Sequence, residues 1–327
     1  MRIILTAVLL ATVLPGAALA QSNCAQLQIV NTVQMARGPG GRDFIPVRIN
    51  GTTKNFLFDT GASFTIVGQS AASDMKLPIR QGRITMYDIT GKATNAQTLI
   101  DEYIVGHMRG ASVQMQVMPV QFDGIFGLDG WSAVDLDMDF GTDKLNMFSA
   151  DHCPGRIQYW PAPVLASTPM KYVDRRLMIH VTLDGHEETA QIDTGASDTT
   201  LTIDEAKRAF GLDPGSDETP ADGNLNGDDS LKVYKHQFKT LSFGDGAMVN
   251  VNNADIRIIP NAVGRNMDRT PLQGSRVVTE KDLMVIPDML IGMNVLRKLH
   301  LYVAFGEAKL YVTDATGVAP AQPAASQ

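Results

Sequence analysis

The chain of 327 residues is expected to fold as two duplicated, mostly β lobes with a cleft between them, and three observations point there. The pentapeptide Asp-Thr-Gly-Ala-Ser occurs twice, at residues 59–63 and 193–197. Each copy follows a two-residue hairpin signal, Asn50-Gly51 or Asp184-Gly185, and each time the aspartate stands 8 positions after the turn glycine. Further landmarks then repeat in the same order: Ile125-Phe126-Gly127 with Leu290-Ile291-Gly292, Phe140-Gly141 with Phe305-Gly306, and Lys144-Leu145 with Lys309-Leu310. A lone Asp-Thr-Gly would read as a polar turn, because all three residues favour turns for local hydrogen-bonding or φ reasons. Two copies at a constant offset of 134 residues read as a duplicated unit.

The elements follow in chain order. Residues 1–20 carry Arg2, an apolar run over 3–14, the breaker Pro15-Gly16 and the small-x-small site Ala18-Leu19-Ala20, the pattern of a cleaved signal peptide. A flexible N-terminal segment is expected over 21–42, closing in Gly38-Pro39-Gly40-Gly41. The first lobe is placed at 43–150, an inter-lobe linker rich in Pro at 151–171, the second lobe at 172–313 and a disordered tail at 314–327. Val47 and Ile49 alternate with Arg48 and Asn50, and Ile179, Val181 and Leu183 alternate with His180, Thr182 and Asp184, the period of half-buried strands. Further strands are expected at 84–87, 98–105 and 233–243. Thr202 with Glu205 forms a capping box for a short helix that stops at Gly211, and residues 70–77 are its weaker counterpart. The second half carries about 27 extra residues, placed at 253–281.

A net charge of −7 disfavours a nucleic-acid partner, which would need a basic face to neutralise phosphates. No run is long enough for a transmembrane span, so an exported, periplasmic or secreted protein is expected. In such a compartment Cys24 and Cys153, the only cysteines, are expected to pair. Lipidation of Cys24 is the alternative, disfavoured because Ser22-Asn23 lacks the small apolar run that such processing requires.

Two carboxylates held close together cannot both ionise easily, so the pair shares a proton. One member then takes a proton from water while the other donates to a carbonyl oxygen under attack. A glycine after each Asp-Thr lets two such loops meet back to back. On these motifs the sequence resembles the aspartic proteases of the pepsin and retropepsin superfamily, over roughly residues 44–312, and looks most like a fused retropepsin pair. The resemblance implies a bilobal acid-protease fold with two retropepsin-like lobes. It further implies that Asp59 and Asp193 form a catalytic dyad supported by Thr60, Gly61, Thr194 and Gly195. A protein or peptide substrate would lie in the cleft, no cofactor or metal is needed, and one chain suffices for the site. Ala62 and Ala196 depart from the Ser or Thr usual in pepsin-like enzymes. A flap is expected about thirty residues after Asp59, with Tyr87, Ile89, Thr90 and Gly91 as candidates.

Other chemistries fit less well. A glycosidase places its two carboxylates in different settings and leans on aromatic platforms, whereas these settings match and aromatic residues make up 6%. No His-Glu-x-x-His occurs, and Gly61-Ala62-Ser63 lacks the closing glycine of a nucleophile elbow. Asp222-x-Asn224-x-Asn226-Gly227 opens like a calcium loop, but Val233 occupies the position of the closing glutamate, so a second flap is expected there. The rival from another class is a catalytically silent peptide-binding protein that keeps the cleft.

Overall fold

The computed structural model describes residues 24–87, 93–129, 133–225, 227–261 and 287–315. The first half comprises β1 (Ile29–Gln34), β2 (Ala36–Arg37), β3 (Asp43–Ile49), β4 (Thr52–Phe58), β5 (Ile66–Gly68), α1 (Gln69–Asp74), β6 (Ile79–Tyr87), β7 (Ala93–Val105), β8 (Met108–Met118), β9 (Gly124–Phe126), β10 (Val134–Asp139) and β11 (Lys144–Ser149). The second comprises β12 (Ala166–Val173), β13 (Arg176–Leu183), β14 (His186–Ile192), β15 (Thr200–Thr202), α2 (Ile203–Phe210), β16 (Ala221–Leu225), β17 (Asp228–Phe243), β18 (Val249–Ile259), β19 (Met289–Ile291), α3 (Met293–Leu296), β20 (Leu299–Ala304) and β21 (Lys309–Asp314).

The two lobes share one topology. Strands run β3-β4-β9-β5-β8-β7-β6 in one and β13-β14-β19-β15-β18-β17-β16 in the other, each closed by an extra pairing, β3 with β7 and β13 with β17. Asn50 and Gly51 (φ 46° and 85°) and Asp184 and Gly185 (φ 45° and 88°) are all left-handed, the conformation that matches a two-residue turn to the twist of its strands. Alternation along β3 buries Ile45, Val47 and Ile49. Phe56, Leu57 and Phe58 are all buried, because β4 lies between β3 and β9 with both faces covered. In α2 the Thr202 hydroxyl accepts from the Glu205 N–H (3.3 Å), and Gly211 (φ 66°) ends the helix.

A third, antiparallel layer joins the halves in the order β1-β11-β10-β20-β21-β12, with β10 and β20 paired at the seam (Leu136 with Val303, Met138 with Leu301). Leu136 and Met138 face the main core. On the opposite face Asp135, Asp137 and Asp139 are buried too, because residues 150–165 cross over them. His152 lies 2.6 Å from Asp135, His300 lies 2.6 Å from Asp137, and Tyr159 donates to Asp137 (2.7 Å). Trp160 stacks on His300 at 4.1 Å and donates to Thr313 (2.9 Å). A Cys24–Cys153 disulfide fastens this crossing segment to the N-terminal stretch.

Three expectations need correction. The segment over 21–42 is not without structure: β1 pairs with β11, and Asn31, Val33 and Met35 are buried. Its alternation is masked in the sequence because an inward position holds Asn31, whose amide donates to the Val105 carbonyl (2.9 Å). The linker over 151–171 ends in β12, which pairs with β21 and β13. The extra residues of the second half do not begin at 253, since β18 continues in register with β17 to Ile258. Asn252-Asn253 resembles a turn, and Asn253 does take φ 51°, but Ser112 (φ 54°) holds the same position in β8 and the strand runs on in both lobes. Residues 262–281 of that expected insertion, the signal peptide and most of the tail lie outside the described residues.

Candidate active site

Strand β4 delivers Asp59 and β14 delivers Asp193. Each aspartate N–H donates to the strand lying parallel beside it, Asp59 to Phe126 O and Asp193 to Ile291 O, both at 3.0 Å. The two threonines then interlock. Thr60 N–H donates to Thr194 Oγ1 and Thr194 N–H to Thr60 Oγ1, both at 3.0 Å. The hydroxyls pass their own protons on across the lobes, Thr60 to Ile192 O (2.8 Å) and Thr194 to Phe58 O (2.7 Å). Both side chains are fully buried, so these four bonds form away from competing water.

The glycines are required by contact rather than by φ. A Cβ on Gly195 would lie 2.3 Å from Asp59 Cγ, and one on Gly61 would lie 2.5 Å from Asp193 Cγ. Each carboxyl therefore rests against the other loop's glycine, and the two hydrogen-bond each other. Gly61 N–H donates to Asp59 Oδ1 (2.8 Å), while Gly195 and Ala196 N–H donate to Asp193 Oδ1 (2.9 and 3.1 Å).

Burial, and then the neighbouring Asp193 charge, hold the Asp59 carboxyl well above the usual carboxylate range, against the Gly61 and Ala62 N–H groups. Burial also raises Asp193, but the hydrogen bond from Asp59 and the Gly195 and Ala196 N–H groups oppose it. Asp193 Oδ1 accepts from two backbone N–H groups and Asp59 Oδ1 from one, so the backbone supports the anion better on Asp193. The pair titrates as one unit with two steps.

A second tier locks each loop from below, and the sequence reading missed it. Thr65 N–H and Oγ1 both donate to Asp129 Oδ1 (2.7 and 2.6 Å), and Gly127 N–H donates to Thr65 Oγ1 (3.2 Å). In the other lobe Thr199 N–H and Oγ1 donate to Asn294 Oδ1 (2.8 and 2.7 Å), and Gly292 N–H to Thr199 Oγ1 (3.1 Å). The signal was present: Thr65 and Thr199 keep the offset of 134, and Asp129 and Asn294 each stand two residues after a landmark glycine.

Of the flap candidates, Tyr87 ends β6 with its backbone paired to Ala93, while Ile89, Thr90 and Gly91 lie outside the described residues. Strands β16 and β17 form a second hairpin, closing at Leu225 and Asp228. The would-be calcium ligands there are engaged by protein groups: Asp222 accepts from Arg257 Nε (3.0 Å), and Asn224 bonds Asp229 and Lys232. Among the described residues no group of three or more His, Cys, Asp or Glu is arranged to hold a metal ion.

No helix among the described residues is long and apolar enough to cross a membrane. No curated protein sequence matches the chain. The family described as aspartyl protease matches it in two segments, residues 45–129 and 179–295, one in each lobe and each containing one Asp-Thr-Gly. These segments span more than half of the chain, which therefore belongs to the aspartyl protease family.

Proposed function

We propose that the protein is an exported aspartic endopeptidase whose dyad, Asp59 and Asp193, activates water against a peptide bond. The observation that carries this reading is the contact of each carboxyl with the opposite loop's glycine, held by four buried threonine hydrogen bonds. Such a lattice fixes two carboxyls on one shared proton without any further group. The anionic Asp193 takes a proton from a water placed between the loops, and that water's oxygen attacks the carbonyl carbon. Asp59 gives its proton to the carbonyl oxygen, leaving a tetrahedral diol. Collapse of the diol breaks the C–N bond as a proton passes to the leaving nitrogen, and the products are an acid and an amine. Two backbone donors on one Asp193 oxygen keep that carboxylate oriented through the cycle.

Both carboxyls lie above the ordinary range, so the single-proton window is displaced upward. Ala62 and Ala196 add to this, because neither side chain can donate to the outer carboxylate oxygens as a hydroxyl would. The kcat/KM profile is expected to be bell-shaped, with an optimum that moves down in the Ala62→Ser, Ala196→Ser double variant. Export is supported by the signal-like residues 1–20 and by the disulfide, which persists in oxidising compartments.

The deciding experiment incubates purified protein with a random peptide library and reads cleavage by mass spectrometry, with Asp59→Asn as control. Cleavage lost in the control supports the reading. Peptide capture without cleavage would identify a binding protein that has kept the cleft.

A further inference from the structure

The two lobes carry opposite charges at the junction behind their catalytic loops. In the first lobe Lys54, on β4, lies 3.2 Å from Asp74 at the end of α1 and 3.6 Å from Asp123, which precedes β9. One cation thus ties together the strand that delivers Asp59, the helix behind it and the strand beside it. The offset of 134 puts Glu188 at the position of Lys54 and Arg208 at that of Asp74, while Asp288 stands before β19 as Asp123 stands before β9. Two of the three charges are reversed and the third is not. Glu205, where the first lobe has Ala71, brings a further carboxyl to the same junction.

The outcome is two carboxyls in contact below the surface. Glu188 and Glu205 are 4% and 3% exposed and adjoin each other, so a proton between them is what lets both stay buried there. Arg208 takes both Glu205 oxygens (2.5 to 2.8 Å) from the solvent side, so a proton held between the two rests on Glu188. Oε1 of Glu188 is buried with no partner among the described residues. Asp288 adds negative charge from the β19 side, and its carboxylate accepts from the Thr202 hydroxyl at the cap of α2 (3.0 Å).

We propose that Glu188 and Glu205 form a proton-operated latch on the second lobe, shut while they share a proton and forced apart when rising pH removes it. The latch joins β14, β19 and α2, the three elements that carry and back the loop of Asp193. Burial is the first cause, followed by the Glu205 charge, and together they push the Glu188 carboxyl up to about 7, with Arg208 opposing and Asp288 reinforcing. A carboxyl raised in the folded state favours folding most below its unfolded pKa of 4.5, and that contribution is lost as pH climbs through about 7. The second lobe therefore loosens above neutrality for a reason separate from the dyad. The first lobe, with Lys54 in the same place, does not.

The test is chemical unfolding of the full chain, wild type against Glu188→Gln and Glu188→Lys, at about pH 4.5 and about pH 8, where a shift of this size corresponds to a factor of roughly 10–300 in the folding constant. Both variants should gain on wild type by a factor in that range on going from the lower to the higher pH. Glu188→Lys places the first lobe's lysine at this position and keeps the test open if Glu188→Gln folds poorly. Amide exchange in wild type, corrected for intrinsic rates, should accelerate above neutral pH more in β14 and β19 than in β4 and β9, and Glu188→Gln should remove that difference. Equal pH dependence in wild type and both variants, or uniform exchange in the two lobes, would overturn the latch. Neither readout requires proteolysis, so failure of the proposed activity would leave this result standing.

Discussion

The substitution Thr194→Val isolates the interlock that joins the two catalytic loops. Valine keeps the β-branched shape and adds no cavity, but it has no hydroxyl. Two groups of the other lobe then lose their partners, the Thr60 N–H at 3.0 Å and the Phe58 carbonyl at 2.7 Å. Thr60 and Thr194 are fully buried, so water does not replace these bonds without opening the loops. Each orphaned buried group costs about 1–3 kcal/mol, giving roughly 2–6 kcal/mol in all, less a fraction of about 0.8 kcal/mol for the added methyl. Against the usual stability of about 5–15 kcal/mol, that is a large share. Urea unfolding should show a lower midpoint at an unchanged slope, and kcat should fall, since a shift of about 1 Å in such a site costs on the order of 100-fold. Thr60→Val should behave alike, with the Thr194 N–H and Ile192 carbonyl left open. The double variant should cost less than the sum, because once one bridge opens the loops no longer hold the other. A loss below about 1 kcal/mol for either single variant would refute this account, since that does not cover even one orphaned group.

Three further outcomes follow from the geometry. Gly195→Ala places a methyl 2.3 Å from Asp59 Cγ, so it should abolish peptidase activity and cost about 1–3 kcal/mol, measured by hydrolysis rate and thermal melting. Asp59→Asn should lower kcat/KM by about 10²–10⁴-fold yet stabilise the fold at neutral pH. The sign follows from the raised Asp59 carboxyl, whose contribution is present in acid and lost as pH rises through its folded pKa, so the variant's advantage should vanish in acid. Replacing Cys24 and Cys153 by Ser opens a loop with a sequence separation of 129 residues and should cost about 4–5 kcal/mol by the chain-entropy relation, read as a lower urea midpoint.

Features encoded over a few residues were legible in the sequence, and those encoded by distant pairing were not. The hairpin turns at 50–51 and 184–185 and the Thr202 cap each need only local chemistry and form where their residues indicate, but the other half of the capping box does not, since Thr202 N–H donates to Asp288 O and the Glu205 carboxylate accepts from Arg208. The duplication placed both aspartates after matching strands because it compares the chain with itself. The central layer escaped detection, since β10 and β20 are separated by about 160 residues and nothing local marks them as partners. Val134-Asp135-Leu136-Asp137-Met138-Asp139 has the alternation of a strand with one wet face, yet the crossing segment covers that face. The Thr65–Asp129 and Thr199–Asn294 locks were hidden because one partner is Asp and the other Asn, so a search for identical words passes over them.

The seam between β10 and β20 has a consequence for how the chain is made. Synthesis proceeds from the N-terminus, so the first lobe emerges with the outer edge of β10 unpaired until residues 299–304 arrive. An unpaired, flat, apolar edge invites pairing with other chains, and charges at alternate positions are a common defence. Asp135, Asp137 and Asp139 supply three negative charges along one face of this edge while water still reaches it. When β20 arrives, His300 meets Asp137, Tyr302 meets Asp135, and the nascent chain's solubility device becomes the polar interior of the joint. A chain ending before residue 299 should therefore present these carboxylates on an unpaired β10 edge, and replacing them with Asn should lower its solubility.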